Sequence, residues 1–160
     1  MNRQVFLLLG SNLGDRKLML KKAAGHIGTR LGTIRQTSSV YETSAWGKED
    51  QPAFLNQVVE ISTTYTPHKL LKEIAKIEEE LGRVRYEKWG ERVIDIDILY
   101  FNSSVVITSN LEIPHSGIPD RKFTLAPMAE IAPDFKHPVL GKTQKELLEA
   151  CMDPLEVEKQ

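Results

Sequence analysis

Residues 5–9 read Val-Phe-Leu-Leu-Leu and are followed by Gly10, so the chain opens with an unbroken apolar run. A run without alternating polar residues is typical of a strand that is buried on both faces. Residues 15–31 then carry apolar side chains at helical spacing, and Gly32 follows them. The sequence therefore predicts that the fold begins with a strand, a turn and a helix.

The rest of the chain continues this alternation of strands and helices. Residues 33–42 and 54–64 are rich in Thr, Ser, Val, Ile and Tyr, which indicates two strands, and their closeness in sequence favours antiparallel pairing. A helix is predicted over residues 67–81, with Glu78 as the one charged residue on its apolar stripe. Further patterns are a strand at 93–101, an extended piece at 105–107, and helices at 121–131 and 145–151.

This order, βαββαβ, predicts an α+β fold: a ferredoxin-like antiparallel sheet with helices on its faces and extra C-terminal helices. The chain has 160 residues, of which 41% are hydrophobic, and this size predicts a single domain over residues 1–160. Cys151 is the only cysteine, which rules out an internal disulfide, and no Cys/His cluster has the spacing of a structural zinc site.

Charge and hydropathy exclude several classes of partner. Lys and Arg number 21 against 22 Asp and Glu, so no basic excess supports binding to nucleic acid or to a membrane surface. The apolar run at residues 5–9 is too short for a signal peptide or a membrane span. We therefore expect a cytoplasmic protein with neither a nucleic-acid nor a membrane partner.

Two aspartates lie in the strand predicted at residues 93–101. Residues 94–98 read Ile-Asp-Ile-Asp-Ile, so alternation places Asp95 and Asp97 on one face and the isoleucines on the other. Same-face neighbours along a strand are roughly 6 to 7 Å apart, which suits the binding of a pair of divalent cations. Oxygen ligands favour Mg²⁺. The alternative is a half-exposed strand whose carboxylates are neutralised by nearby basic side chains.

An arginine-rich loop directly precedes the two aspartates. Arg83, Arg85 and Arg92 lie there together with Trp89. Arginine binds phosphate oxygens with two donors at once. Sites that catalyse phosphoryl transfer commonly combine arginines with Mg²⁺. The alternative is a solvated loop. Residues 10–14, Gly-Ser-Asn-Leu-Gly, match neither a P-loop nor a dinucleotide motif, and they also suit a plain strand-to-helix turn.

Aromatic and polar side chains mark a second region of interest. Trp46, Phe54 and Asn56 could stack on a flat heterocycle and hydrogen-bond its edge, with Phe123 as a second wall. The alternative is that the two phenylalanines belong to the core. His115 could contact phosphate, although a lone histidine in a loop is more often a surface residue.

These segments, taken together and in order, resemble the 6-hydroxymethyl-7,8-dihydropterin pyrophosphokinases. The resemblance runs from Gly10 to about Pro138 and rests on residues 10–14, 41–43, 51–56, 77–78, 82–85, 89–99 (Trp-Gly-Glu-Arg-Val-Ile-Asp-Ile-Asp-Ile-Leu), 114–115, 121 and 123. It implies an enzyme of folate biosynthesis that transfers the pyrophosphoryl group of ATP to the hydroxymethyl group of a reduced pterin and releases AMP. It also implies two Mg²⁺ ions as cofactors, and we expect a monomer.

The resemblance further implies a role for each matched position. Asp95 and Asp97 would be the metal ligands, and with Arg83 and Arg92 they would be the catalytic residues. The ATP site would comprise Glu78, Arg85, Trp89, Ile98, His115 and Arg121. The pterin site would comprise Thr43, Ser44, Trp46, Phe54, Asn56 and Phe123, with the ring stacked between the two phenylalanines.

The residues alone leave two other classes of protein open. A nucleotide- or metal-sensing module on the same fold would keep the arginines without needing both aspartates. A two-metal nuclease or phosphatase would use Asp95 and Asp97 but would need further carboxylates and a basic track for its substrate.

Overall fold

The computed structural model describes residues 2–43, 53–82 and 93–160. The strands are β1 (Arg3–Ser11), β2 (Thr33–Thr37), β3 (Tyr41–Thr43), β4 (Phe54–Thr63), β5 (Asp95–Phe101), β6 (Val106–Ile107), β7 (Glu112–Ile113) and β8 (Val157–Lys159). The helices are α1 (Arg16–Arg30), α2 (Pro67–Glu80), α3 (Lys122–Ile131) and α4 (Gln144–Ala150), with a short 3₁₀ helix at Ile118–Asp120. The α+β class is confirmed, and the predicted order βαββαβ is found with one additional strand between α1 and α2.

The main sheet is antiparallel, with its strands in the order β5-β1-β4-β3-β8, and β2 also pairs with β4. Strands β1 and β4 pair along their whole length, from Arg3 opposite Thr63 to Ser11 opposite Leu55. Strands β2 and β3 each pair antiparallel with β4, which confirms the pairing expected of the segments around residues 33–42 and 54–64. Strand β5 lies at one edge of the sheet, and β6 and β7 form a separate hairpin.

Residues 33–42 are two strands rather than the single strand that the sequence predicts. The ladder is interrupted at Ser38, whose hydroxyl accepts the N–H of Val58 at 2.9 Å in place of a main-chain acceptor. A side chain that competes with the backbone in this way breaks a strand without unpairing its neighbour. Strand β3 therefore starts afresh at Tyr41.

Helices cover both faces of the sheet. Val5, Leu7 and Leu9 of β1 pack in a core that also contains apolar residues of α1 and α2, among them Leu20 and Ile74; the side of the sheet that carries this core is called the α1/α2 face. The intervening residues of β1 pack in a second core, on the α3/α4 face, with residues of α3 and α4: Phe6, Leu8, Leu125, Met128 and Leu147. The unbroken apolar run of β1 is thus explained, because both of its faces are buried.

Capping side chains set the starts of the helices. Asp15 accepts the N–H of Leu18 at 3.1 Å before α1, and Thr66 accepts the N–H of Lys69 before α2. Gly14, at the turn into α1, has a positive φ of 70°, a conformation that glycine adopts without strain. The helices predicted from these signals are confirmed within one residue at their first turns.

Strand β8 has no counterpart among the predicted elements. It pairs with β3, and the N–H of Gln160 donates to the Val40 carbonyl at 2.8 Å. Its sequence is short and polar, so it has no hydrophobic periodicity from which a strand could be predicted. Among the helices in the described part of the chain, none has the length and apolar character needed to cross a membrane.

Candidate active site

Asp95 and Asp97 project from the edge strand β5 toward the α3/α4 face. Asp97 lies opposite Leu8 in the ladder, and Asp95 lies opposite Gly10. Leu8 belongs to the core on that face, whereas Ile96 and Ile98 belong to the core on the other. The predicted alternation is confirmed, and both aspartates are half-buried, so their carboxylates can be reached from solvent.

Asp95, Gly10 and Asn56 form a row across three neighbouring strands. An added Cβ on Gly10 would come within 2.7 Å of the Asn56 Nδ2 atom. The buried Asn56 amide therefore occupies the space that a side chain at position 10 would take, and its Nδ2 donates to the Leu9 carbonyl at 3.4 Å. The glycine lets a polar side chain lie flat on the sheet beside the aspartates.

Thr43 and Phe54 lie opposite each other at the end of the β3/β4 pair. They share the face of Asn56, because Phe54 precedes Asn56 by two residues along β4. Phe54 is half-buried and belongs to neither core, which removes the alternative that it is a core residue. The Thr43 hydroxyl is buried and has no hydrogen-bond partner among the described residues.

Phe123 lies in the first turn of α3 and is partly buried against the core of the α3/α4 face. The Cζ atom of Arg121 is 5.6 Å from the centre of its ring, within the range of a cation–π contact. The alternative that Phe123 is a core residue therefore holds in part, because its ring packs against the core without being fully buried in it.

The hydroxyl of Tyr41 ties strand β3 to helix α3. Tyr41 lies opposite Asn56, and its hydroxyl donates to Glu130 at 2.7 Å. Ser39 donates to the same carboxylate through its N–H and its hydroxyl. Burial, and then the hydrogen bond to Glu130, raise the pKa of Tyr41, so the hydroxyl stays protonated and remains a donor. These bonds hold the strand of Thr43 against the helix of Phe123.

A second group of site candidates lies along the outer edge of β5. The Oε2 atom of Glu78 accepts the Ile96 N–H at 2.9 Å, and the N–H of His115 donates to the Leu99 carbonyl at 3.1 Å. Glu78 is buried, and this bond explains a charged residue on the apolar stripe of α2. The Ile98 side chain is in the core, so only its main-chain groups are placed to contact a ligand.

His115 and Arg121 are brought together around Gly117. The Gly117 N–H donates to the Nδ1 atom of His115 at 3.0 Å, which leaves Nε2 as the other ring nitrogen. An added Cβ on Gly117 would come within 2.7 Å of the Arg121 Cζ atom, so the guanidinium lies directly against this glycine. Arg121 itself is exposed. An imidazole and a guanidinium thus each contact the same glycine, and both groups are suited to bind an anion.

Comparison with known proteins identifies the family to which the chain belongs. Residues 6–133 match the model of the family described as 7,8-dihydro-6-hydroxymethylpterin-pyrophosphokinase. A 2-amino-4-hydroxy-6-hydroxymethyldihydropteridine pyrophosphokinase of Methylorubrum extorquens is 43% identical over 157 residues, covering 98% of each chain. One from Bacillus subtilis is 45% identical over 132 residues, covering 82% of this chain and 79% of its own. The chain belongs to this pyrophosphokinase family.

Solved structures agree with this membership at the level of the fold. The HPPK-DHPS protein of Plasmodium falciparum superposes with a TM-score of 0.78 at 20% identity, covering 93% of this chain and 43% of that one. As a member of the family, the chain is an enzyme of folate biosynthesis. It transfers the pyrophosphoryl group of ATP to the hydroxymethyl group of 6-hydroxymethyl-7,8-dihydropterin and releases AMP.

The structure brings ten of the predicted positions of this pyrophosphokinase into two adjoining groups. Asp95, Asp97, Thr43, Phe54, Asn56 and Phe123 belong to the α3/α4 face, and Glu78, Ile98, His115 and Arg121 belong to the outer edge of β5. The remaining candidates, Arg83, Arg85, Trp89, Arg92, Ser44 and Trp46, lie outside the described residues.

Sequence reasoning did not single out Gly10 or Gly117 as site residues of the pyrophosphokinase. Each matters for the side chain that lies against it, Asn56 for Gly10 and Arg121 for Gly117. A glycine in a strand often indicates the close approach of another group. Gly10 could therefore have been predicted as a site residue if the strand at residues 5–9 had been extended to include it.

Proposed function

We propose that the α3/α4 face binds the reduced pterin and the metal ions of this pyrophosphokinase, and that the outer edge of β5 binds ATP. The observation that carries the proposal is the row of Asp95, Gly10 and Asn56 across three strands. This row joins the candidate metal ligands to the candidate pterin residues on one continuous surface. A phosphoryl acceptor bound over Asn56 would therefore lie beside the carboxylates.

Two Mg²⁺ ions are proposed as cofactors, with Asp95 and Asp97 as the protein ligands. In the described part of the chain, no group of three or more His, Cys, Asp or Glu side chains could hold a metal alone. Mg²⁺ is commonly bound by one or two carboxylates, with substrate phosphates and water completing its shell, so a pair of reachable aspartates fits it. Bound Mg²⁺ would neutralise charge on the transferred phosphates and lower the pKa of the pterin hydroxyl.

The pterin is proposed to stack between Phe54 and Phe123. The buried Thr43 hydroxyl and the Asn56 amide would then hydrogen-bond polar groups at the edge of the ring. The unpartnered Thr43 hydroxyl supports this assignment, because a buried polar group without a partner is costly unless a ligand satisfies it. Ser44 and Trp46 would complete the same pocket.

ATP is proposed to bind with Glu78, Arg85, Trp89, Ile98, His115 and Arg121. Glu78 would act through β5, because its bond to the Ile96 N–H fixes the strand whose main chain continues to Ile98. His115 and Arg121 would bind phosphate oxygens, and Arg83 and Arg92 would act as catalytic residues there.

In the transfer itself, the pterin hydroxyl oxygen forms a bond to the β-phosphorus of ATP. The bond from that phosphorus to the oxygen bridging it to the α-phosphate breaks, so AMP leaves with the bridging oxygen. The hydroxyl proton is released to solvent. The chain contributes by positioning the two substrates and by placing positive donors around the charge that develops.

A monomer in the cytoplasm is proposed as the working form of the enzyme. The two faces of the sheet are each covered by the chain's own helices, and this supports a fold that needs no partner chain to complete it.

Substitution of each aspartate by asparagine tests the metal assignment, because it removes the charge and keeps the shape. For Asp97→Asn we expect AMP formation to fall by about 10² to 10³-fold, since one charged group in the site is lost. The measurement is pterin-dependent AMP release as Mg²⁺ is titrated. Asp134→Asn, at an exposed position, is the matched control. Wild-type turnover with wild-type Mg²⁺ dependence in both Asp95→Asn and Asp97→Asn would remove the assignment.

A further inference from the structure

Arg16, the first residue of α1, contacts both of the chain segments that border residues 44–52. Its Nη1 atom donates to the Ala53 carbonyl at 2.7 Å and to the Oε2 atom of Glu42 at 3.2 Å. Its side chain is largely shielded, with 28% exposed. A single guanidinium therefore joins β3 to the residue that precedes β4.

The register places these contacts on the reverse side of the proposed pterin pocket. Glu42 lies opposite Leu55, a residue of the core on the α1/α2 face. The next pair in the ladder is Thr43 with Phe54, and alternation turns it to the opposite face. Arg16 thus bonds Glu42 and Ala53, the chain neighbours of Thr43 and Phe54, from the side of the sheet opposite the proposed pocket.

The contact also lies directly beside the Thr43–Phe54 pair of the β3/β4 ladder. Among the described residues, Thr43 opposite Phe54 is the last pair between β3 and β4. The Arg16 bond to Ala53 is formed one residue before Phe54, so it fixes the backbone directly next to that pair. Arginine suits this position because Nη1 carries two N–H groups at fixed angles within a planar group, so it can donate to both acceptors at once, whereas the lysine ammonium rotates on a flexible stem.

We propose that Arg16 is a positioning residue for pterin binding. By holding Glu42 and Ala53, it fixes the relative position of Thr43 and Phe54, and through them the pterin. This inference rests on the proposed function, in which Thr43 and Phe54 belong to the pterin pocket. Arg16 itself does not contact the substrate in this proposal.

The test compares Arg16→Ala with Arg3→Ala. Arg3 is a matched control, because its Nη1 atom also donates to two acceptors, the carbonyls of Thr64 and Tyr65, at the opposite end of β1. For Arg16→Ala we expect KM for the pterin to rise about tenfold, which is the effect expected if the displaced pocket makes one good hydrogen bond fewer to the pterin. KM for ATP should stay within about twofold of the wild-type value. Arg3→Ala should change neither constant.

Two further readouts distinguish positioning from a loss of stability. Arg16→Lys should restore part of the pterin affinity, because one of the two acceptors can still be bound. Direct binding is followed by the fluorescence of 6-hydroxymethylpterin in the presence of α,β-methylene-ATP, in which the bond broken in the reaction is blocked. Thermal midpoints of all variants are recorded alongside.

Each outcome supports or overturns the proposal. An unchanged pterin KM in Arg16→Ala, or an equal rise in both KM values, would overturn it even if the thermal midpoint falls as in Arg3→Ala. Phe54→Ala separates this failure from a failure of the pocket assignment. If Phe54→Ala raises the pterin KM and Arg16→Ala does not, only the positioning role is lost. If Phe54→Ala leaves that KM unchanged, the pocket is misassigned and the inference falls with it.

Discussion

Replacing Gly10 by alanine would place a methyl group where the Asn56 amide lies. The new Cβ would be 2.7 Å from Asn56 Nδ2, whereas ordinary contact begins at 3.4 Å, so the amide must shift by about 0.7 Å to reach ordinary contact. The clash involves the end of a side chain rather than the backbone, so the strand can remain in place. The long bond from Asn56 to the Leu9 carbonyl would be lost, at a cost of about 1 kcal/mol or less.

The expected result is an enzyme that folds normally and binds the pterin poorly. Gly→Ala also lowers the conformational entropy of the unfolded chain, which stabilises the native state by about 0.4 to 1 kcal/mol. The net change in the free energy of unfolding should therefore lie within about 1 kcal/mol. A displaced amide that no longer bonds the pterin should raise the pterin KM about tenfold. The assay measures KM for the pterin at saturating ATP, KM for ATP, and the thermal midpoint.

Gly25→Ala is the matched control for this experiment. Gly25 is exposed on α1, and an added Cβ there meets nothing within 4 Å. We expect this variant to gain about 0.5 to 1 kcal/mol of stability, because alanine is the better helix former, and to keep both KM values. A Gly10→Ala enzyme with a wild-type pterin KM would refute the argument that Asn56 is placed over Gly10 to bind the substrate.

Substitutions at three further positions test the fold that carries the site. Gly32→Ala should destabilise the fold by about 3 kcal/mol, because the added Cβ would clash with the backbone oxygen of Ser62, and no side chain can move to relieve that contact. Glu78→Ala should cost about 1 to 3 kcal/mol by leaving the buried Ile96 N–H without its acceptor, and Glu78→Gln should recover part of the loss. Burial lowers the pKa of His137 below its ordinary 6.5, so the unfolded chain binds a proton that the native chain does not. Stability should therefore fall as pH drops through and below that value, and His137→Asn should reduce this loss.

Urea unfolding at pH 7.5 and at pH 5.5 measures all three effects. The reasoning about Gly32 fails if Gly32→Ala unfolds at the wild-type midpoint, and that about Glu78 fails if the glutamine variant is no more stable than the alanine variant. For His137, the pH argument fails if wild type and His137→Asn lose the same free energy of unfolding between the two pH values.

Local signals in the sequence predicted most of the fold. The run at residues 5–9, the Thr66 cap of α2 and the alternation around Asp97 each lie within a few residues of the structure they predict. Such signals depend on the backbone geometry of a strand or helix and on which of its sides is buried. Neither depends on which other element packs against that side. The site predicted from resemblance depends on them as well, because alternation decides which residues of β4 and β5 share a face.

The contacts that shape the site depend instead on strand register. Arg16 bonds Ala53, which is 37 residues away, and Tyr41 bonds Glu130, which is 89 residues away. The sequence contains each residue but not the ladder that brings the two together. Strand β8 and the break at Ser38 escaped prediction for the same reason, because both are defined by the strand that they pair with.

Alternation along a strand also explains how the site can be rigid without being enclosed. Thr43 faces the proposed pterin pocket while Glu42 faces Arg16, and Asp97 faces the pocket while the adjacent Ile96 is bonded by Glu78. Thr43 and Asp97 therefore each follow a residue that is anchored to α1 or α2. Loss of an anchor displaces a site group without deleting it, so such variants should raise KM more than they lower kcat. Loss of Asp95 or Asp97 removes a proposed metal ligand itself, and the chemical step should suffer first.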